Sequence, residues 1–398
     1  MKVRNIKAVA PFKGYVVTGI TFEEIGAQIN LDFDRRSGPR CPRCRERIPR
    51  NKAGRRAVMD APMPHGSIVY VTFPTVQGAC GKCDRYVTTC PREVHPDCQA
   101  TWRLMKLVSA WAGMATNSEV AAMFEIGDAT VRRYDRIVLE ENTPPPLLDG
   151  LRKVLIDEKA VRKGHCYVTI VLNGETGELL HMREGRKKES VESFFEQLTE
   201  EQRAGIEAVG IDRSGAYQAA VEEWLPGADI VYDRFHLMMN VNQAVDEVRR
   251  TECRKAGTED RRVIKGKRYL ILGNKENLDA EGREKLDGLL DSNKAISTAY
   301  ILKEQFRWLF MYRRMGWAKR ALANWCELAH ASGLKPFQRL AKGFGKQSEK
   351  VCGFVKHGLT SGLIEGFNNL VSRMIHRACG YRDLDYLELK LRHHSVMH

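Results

Sequence analysis

The chain has 398 residues, of which 43% are hydrophobic and 29% charged. That composition supports folded cores and excludes a disordered polymer, and the length suits two or three domains. No run of about 18 uncharged apolar residues occurs, so a membrane-spanning helix is excluded, and the basic start of the chain lacks the apolar core of a secretory signal. Lys and Arg number 64 against 50 Asp and Glu, a net charge of +14 that favours a polyanionic partner.

The surplus is unevenly placed. Residues 1–60 carry 14 basic and 6 acidic side chains, residues 150–248 carry 12 and 18, and residues 249–350 carry 24 and 12. An acidic middle between two basic segments suits divalent cations in the centre and phosphates on either side.

Eleven cysteines without an export signal point to a reducing compartment and to thiol chemistry other than disulfides. Four form two pairs, Cys41-Pro-Arg-Cys44 and Cys80-Gly-Lys-Cys83. Each pair sets two sulfurs on one tight turn, and two such turns make a four-cysteine site for a structural Zn2+. The segment Ser67–Phe73 is a strand candidate for a zinc-ribbon hairpin. Cys90, His95 and Cys98 are read as scattered core residues, with a second metal site as the alternative. Ten basic residues and one acid lie between Arg35 and Arg56, and Arg43, Arg45 and Arg47 are candidates for contact with a phosphate backbone.

Next comes a helical pattern. Thr101–Ala112 has helical spacing. Ser118 caps a helix carrying Val120, Ala121 and Phe124, Glu125–Asp128 makes a turn, and Asp128 caps a further helix over Ala129–Glu140. This is the pattern of a DNA-binding helix-turn-helix, with Ile126 in the turn and Thr130, Arg132 and Arg133 toward a groove. Glu125 stands where such turns usually have glycine. An ordinary helical hairpin is the alternative. The run Asn142-Thr-Pro-Pro-Pro-Leu reads as a linker.

Beyond the prolines the period changes to that of strands. Strands are expected over Leu151–Asp157, His165–Leu172, Glu178–Met182, Ile206–Asp212 and Ala228–Tyr232. Helices are expected over Ser190–Gln202, Tyr217–Leu225 and Leu237–Arg250. The order β-β-β-α-β-α-β-α is that of the RNase H-like fold, an α/β architecture with a mixed five-stranded sheet. Asp157 and Asp212 end the first and fourth strands, which are neighbours in that fold, and converging carboxylates invite a divalent cation. A third carboxylate is sought on the helix Ser361–Ala378. There Leu363, Phe367, Leu370, Val371 and Met374 form an apolar stripe, and Glu365, Asn368, Asn369, Ser372, Arg373 and His376 lie opposite. Residues 251–350 read as a basic helical insertion. Its Trp308, Trp317 and Trp325 are assigned to the core, with stacking on an unpaired base as the alternative for one of them.

Together these motifs resemble the ISL-type insertion-sequence transposases, bacterial DDE transposases of the RNase H-like class. The resemblance runs through CPRC…CGKC, the helix-turn-helix, IDEKAVRKGHCYVTIVLNGETGELL, GIDRSGAYQAAVEEWLPGADIVYDRFHLMMNVNQAVDEVRR and SGLIEGFNNLVSRMIHRACGYRD. It implies catalytic Asp157, Asp212 and Glu365 holding two Mg2+ (or Mn2+) ions for DNA cleavage and strand transfer. Asp233 and His236 match an Asp-x-x-His motif that organises the site, and Asp233 is the alternative second carboxylate. The implied partners are double-stranded DNA, at the terminal inverted repeats and the target, and further copies of the chain in a homodimer or larger synaptic complex. A cytoplasmic protein associated with the nucleoid is expected.

The expected organisation is a zinc-binding domain over 1–98, a helix-turn-helix over 99–142, a catalytic core over 150–250 and 351–398, and the insertion between its two parts. Two other readings stay open. One is a catalytically inactive DNA-binding protein, and the other is an RNase H-like nuclease or resolvase without strand transfer.

Overall fold

The computed structural model describes residues 12–23, 26–49, 51–62, 66, 68–162, 164, 166–257, 261–262, 264–273 and 275–397. The basic start of the chain, Ser67 and His165 lie outside these described residues. The chain forms two compact units. One holds Met1–Pro144 with Arg377–Cys379, and the other holds Pro145–His376 with Gly380–His398. Among the described residues no helix is long and apolar enough to cross a membrane.

In the first unit, β1 (Tyr15–Glu23), β2 (Gly26–Phe33), β3 (Lys52–Asp60), β4 (Ile68–Cys80) and β5 (Arg85–Thr88) form one sheet in the order β1-β2-β4-β3, with β5 also on β4. The strand candidate at 67–73 is thus half of a longer strand. Beyond Phe73, β4 is carried to Cys80 by ladders to β3 and β5. Its first half alternates as a half-buried strand should, with Val69, Val71 and Phe73 inward and Tyr70 outward. These residues pack with Leu31 and Val58.

Three helices follow: α1 (Trp102–Ala112), α2 (Asn117–Phe124) and α3 (Asp128–Asn142). They close around Leu104, Met105, Val108, Val120, Phe124, Val131 and Tyr134. The cap of α2 is Thr116, not Ser118, because Glu119 at the third helical position completes a reciprocal capping box with Thr116. Gly127, not Asp128, precedes α3. Asp128 opens that helix and accepts a hydrogen bond from Ser118 Oγ at 2.6 Å. Glu125 has φ 53° and ψ 41°, so it takes the left-handed conformation that glycine usually supplies.

A buried polar knot joins sheet to helices. Asp60, 1% exposed, accepts from Thr101 Oγ1 and Arg103 Nε, both at 2.5 Å. A buried carboxylate of this kind is tolerated only when it is fully bonded.

In the second unit, β6 (Lys153–Arg162), β7 (Cys166–Asn173) and β8 (Leu179–Glu184) form an antiparallel meander. β9 (Ala208–Ile211) and β10 (Asp229–Tyr232) add in parallel, giving the order β10-β9-β6-β7-β8. β6 and β9 are neighbours, as expected. β6 does not end at Asp157 but continues to Arg162. Its ladder to β9 stops at Leu155, and the rest of the strand is held by β7 alone.

The helices here are α4 (Lys188–Phe195), α5 (Glu200–Gly205), α6 (Gly215–Trp224) and α7 (Arg234–Lys255). The single helix expected over 190–202 is two, because Thr199 and Gln202 form a new capping box that restarts the chain. After α7 come α8 (Arg268–Leu272), α9 (Ala280–Ser292), α10 (Lys294–Trp308), α11 (Met315–Ala331), α12 (Lys335–Lys346), α13 (Ser348–Cys352) and α14 (Phe354–His357). Their aromatic core joins Phe306, Trp325, Phe337 and Phe344, and Trp325 Nε1 donates to the Leu302 carbonyl at 2.8 Å. Trp308 and Trp317 are not core residues. They are 63% and 54% exposed, since the buried stripes of α10 and α11 run through Phe306 and through Ala318, Leu322 and Trp325.

α15 (Gly362–Arg377) and α16 (Leu384–Met397) cover one face of the sheet through Phe367, Leu370, Val371, Leu387 and Leu391, which meet Leu155, Val168, Ile170 and Leu172. The other face packs Val154, Ile156 and Val171 against α4, α6 and α7. Alternate residues of β6 and β7 therefore serve two cores, which accounts for their nearly unbroken apolar runs.

Candidate active site and metal centre

The parallel part of the sheet sets three aspartates in a row. Leu155 pairs with Gly210, and Gly210 with Val231. Two residues further along each chain segment stand Asp157, Asp212 and Asp233. Residues two apart on a strand share a face, and all three aspartates line one cleft with His236, Thr360, Ser361 and Ile364. The cleft opens at the carboxyl ends of the parallel strands, where open α/β sheets bind their ligands.

Asp157 is the most buried of the three, at 8% exposure. Its Oδ1 accepts from the Glu158 backbone N–H at 2.9 Å and its Oδ2 from Asn368 Nδ2 at 2.7 Å. Burial pushes its carboxyl above the ordinary value, and the nearby charge of Asp212 adds to the shift. The two hydrogen bonds and His236 work against it. Glu158 does not line the cleft and pairs with Arg186 at 3.9 Å.

Asp212 follows β9 directly, and its Oδ1 accepts from Ser214 N at 2.8 Å. Asp233 caps α7, accepting from Phe235 N at 3.2 Å and His236 N at 3.4 Å. Its Oδ2 lies 2.7 Å from His236 Nδ1. That bond holds the imidazole above its ordinary pKa, against the effect of burial and helped by Asp157 and Asp212.

Glu365 is exposed on the first turn of α15 and is not brought into a cluster with the aspartates. Among the described residues, no three carboxylates offer oxygens all within 4.8 Å of one another. The helix itself does reach the site. Ile364 lines the cleft, and Asn368, three residues after Glu365 and hence on the same face, holds Asp157. Asn369 and Arg373 are exposed. The contact to Asp157 therefore comes from Asn368, a residue the sequence placed on the polar face without a role. Its three-residue spacing from Glu365 was the available signal. The Oδ1 of Asn368 is buried and has no hydrogen-bond partner among the described residues. An orphaned amide oxygen beside a buried carboxylate is a donor set that a hard cation fits.

The cysteines are gathered. Cys41, Cys44, Cys80 and Cys83 have sulfurs all within 4.8 Å of one another, with Cys41–Cys83 at 4.0 Å and Cys44–Cys80 at 3.3 Å. A tetrahedral ion with 2.3 Å metal–sulfur bonds needs sulfurs about 3.8 Å apart. Cys80 closes β4, and Cys83 stands in the hairpin before β5. Backbone N–H groups of Cys83 and Lys82 pull the Cys80 thiol down to about 7, toward the thiolate a metal requires. Among the described residues no second cluster forms. Cys90 and Cys98 are buried, and His95 packs its ring 4.9 Å from Trp102.

The candidate DNA contacts divide. Arg43, Arg47 and Arg132 are exposed, and Thr130 is half-buried. Arg45 has φ 65°, and its N–H donates to the Cys41 carbonyl at 3.1 Å, so it closes the first cysteine turn. Arg133 donates to the Asp97 carbonyl at 2.8 Å, which ties α3 back to the segment before α1.

A family model described as a transposase, of the DDE ISL3 type, matches residues 154–391. The transposase for insertion sequence element IS1001 of Bordetella parapertussis is 33% identical over 297 residues, which cover 74% of this chain and 73% of that one. The transposase for insertion sequence element IS1557 of Mycobacterium tuberculosis is 28% identical over 256 residues, 58% of this chain and 57% of its own, in each of two strains.

Proposed function

Because the chain belongs to the ISL3-type DDE transposase family of insertion sequences, we propose that Asp157, Asp212 and Glu365 are the carboxylates with which it cuts and joins DNA. The observation that carries this reading is the row of aspartates at the carboxyl end of the parallel strands, faced by a helix whose Asn368 holds Asp157. The core is read as RNase H-like on the strand order β10-β9-β6-β7-β8.

Asp157 and Asp212 would hold two Mg2+ or Mn2+ ions, with Glu365 completing the set. Such ions, when bound, sharpen the attacking water or 3′-hydroxyl and stabilise the leaving oxygen. The chain's own groups prepare that site. Asn368 fixes the direction of the Asp157 carboxylate, and Asp233 fixes the ring plane of His236 beside the row.

Cys41, Cys44, Cys80 and Cys83 would hold a structural Zn2+ that closes the β4–β5 end of the first unit. Arg43 and Arg47 beside it, and Thr130 and Arg132 on α3, would contact the terminal inverted repeats. Holding two ends together calls for a dimer or larger assembly.

The test is cleavage and strand transfer on labelled element-end DNA with Mg2+ or Mn2+. Wild type is run beside Asp157→Asn, Asp212→Asn, Asp233→Asn and Glu365→Gln. Loss of roughly 1000-fold or more is expected for Asp157, Asp212 and Glu365, the several kcal/mol that metal-assisted charge stabilisation supplies. Full activity in Glu365→Gln would remove it from the set, and full activity in Asp212→Asn with loss in Asp233→Asn would move the second carboxylate. Hydrolysis products without joined products would support a nuclease instead.

A further inference from the structure

The turn Asp212–Ser214 joins β9 to α6. The Ser214 N–H bonded to Asp212 closes it internally, and the Ile211 carbonyl is tied to Asp233 N at 2.8 Å. Neither bond supports its outer side. That support comes from Arg213, which reaches to the helical insertion. Its guanidinium lies 5.1 Å from the ring of Phe344 and 5.9 Å from the ring of Tyr232, with Nη2 3.5 Å from Gln347 Oε1. A Cβ at Gly343 would come within 3.1 Å of that nitrogen, so glycine leaves room for the approach.

The two rings are not equivalent neighbours. Phe344 is fully buried, stacked on Phe306 at 5.1 Å and tilted against Trp325 at 5.9 Å, so it belongs to the centre of the insertion. Tyr232 immediately precedes Asp233, as Arg213 immediately follows Asp212. One guanidinium thus touches both aspartate-bearing strand ends and the insertion. Arg213 has no carboxylate partner among the described residues, and planar stacking on ring faces is what arginine does and lysine does not.

We propose that Arg213 is a positioning residue that clamps the Asp212 turn and the Asp233 strand end against the aromatic core of the insertion, setting the Asp212 carboxylate for its metal. This rests on the reading of Asp212 as a catalytic carboxylate. The insertion then serves the site mechanically, besides any contact of its own with DNA.

The experiment is cleavage of element-end DNA as a function of Mg2+ concentration, with end binding measured across a salt series. Arg213→Ala should raise the Mg2+ needed for half-maximal cleavage about tenfold, the effect typical of losing a group that orients a metal ligand. End binding should be unchanged. Arg213→Lys should resemble Arg213→Ala, because charge without stacking is not enough, and its surface position keeps the fold intact by thermal melting. Phe344→Leu should act in the same direction and be non-additive with Arg213→Ala. Additive effects would overturn the clamp. So would an unchanged Mg2+ dependence with weaker end binding and a salt slope reduced by about one, which would make Arg213 a phosphate contact. Asp212→Asn is the control: an active Asp212→Asn would show that the site reading has failed, whatever Arg213 does.

Discussion

The cysteine cluster of the first unit and the aspartate row of the second are both candidate metal sites, and they are assembled in opposite ways. The four sulfurs lie at the separation an ion requires, each supplied by a tight turn, and Cys41 and Cys80 are buried. Asp212 and Asp233 directly follow β9 and β10, Asp157 lies within β6 just past its ladder to β9, and Glu365 stands apart on a helix. Thiols can lose their charge and pack as small apolar groups, so their site closes by itself. Carboxylates repel, and burying one raises its pKa, as at Asp157. A closed site suits a structural ion and an open one a catalytic ion, and the two candidates differ in just how tightly their groups are gathered.

The largest effect expected from this contrast is on the closed site. Cys80→Ser should forfeit most of a zinc-binding free energy of about 10 kcal/mol, which is folding free energy for such a unit. Proteolysis should then digest the first unit while the second survives. Survival of both would break the comparison.

Acid should weaken the second unit through a buried histidine. In the second unit, burial pulls His181 from 6.5 down to about 4, so the folded state keeps it neutral while the unfolded chain takes up a proton. Stability is therefore present above 6.5 and lost as pH falls from 6.5 through 4, by about 3 kcal/mol in all. Denaturant melts between pH 4 and 7 should show that slope, and His181→Gln should flatten it.

A smaller effect with the opposite sign is expected at the open site. The raised pKa of Asp157 means that its ionised form is disfavoured in the fold, so stability is lost as pH rises through the ordinary carboxylate value. Asp157→Asn should then stabilise the metal-free protein at neutral pH, although it is expected to abolish cleavage. A destabilised Asp157→Asn would show that its hydrogen bond to Asn368 outweighs the burial of its charge.

The smallest effect is expected at Glu125. Replacing a left-handed residue by glycine should gain about 0.5–1 kcal/mol, read as a higher melting temperature of the first unit.

The sequence made much of the second unit legible. Alternating and apolar runs located β6 to β10, and the motif spacing located Asp157, Asp212, Asp233 and His236 in what proves to be one cleft. It also overreached where local pattern meets tertiary context. Apolar periodicity alone ran α4 and α5 together across the Thr199 cap, and it counted Trp308 and Trp317 with Trp325 because it does not show which stripe faces inward. The sheet of the first unit was the least legible part. β1 has no buried residue among those described, β2 alternates its buried Ala27, Ile29 and Leu31 with polar neighbours, and β4 gains its second half from pairing partners on either side. Register, which aligns the three aspartates, and the choice of Asn368 over Asn369 are properties of the assembled sheet and helix, and no local pattern encodes them.

The hydrogen bond from Asn368 to Asp157 spans 211 residues, and Arg162 likewise reaches the carbonyls of Tyr381 and Arg382. Contacts of such long range form late, after the intervening chain has been ordered. During synthesis the ribosome has released β6, β9 and the whole insertion before α15 emerges. A chain arrested before α15 therefore carries the row of aspartates but neither Glu365 nor the Asn368 that holds Asp157. Its Asp157 carboxylate is left without the side-chain hydrogen bond that fixes its direction in the finished fold.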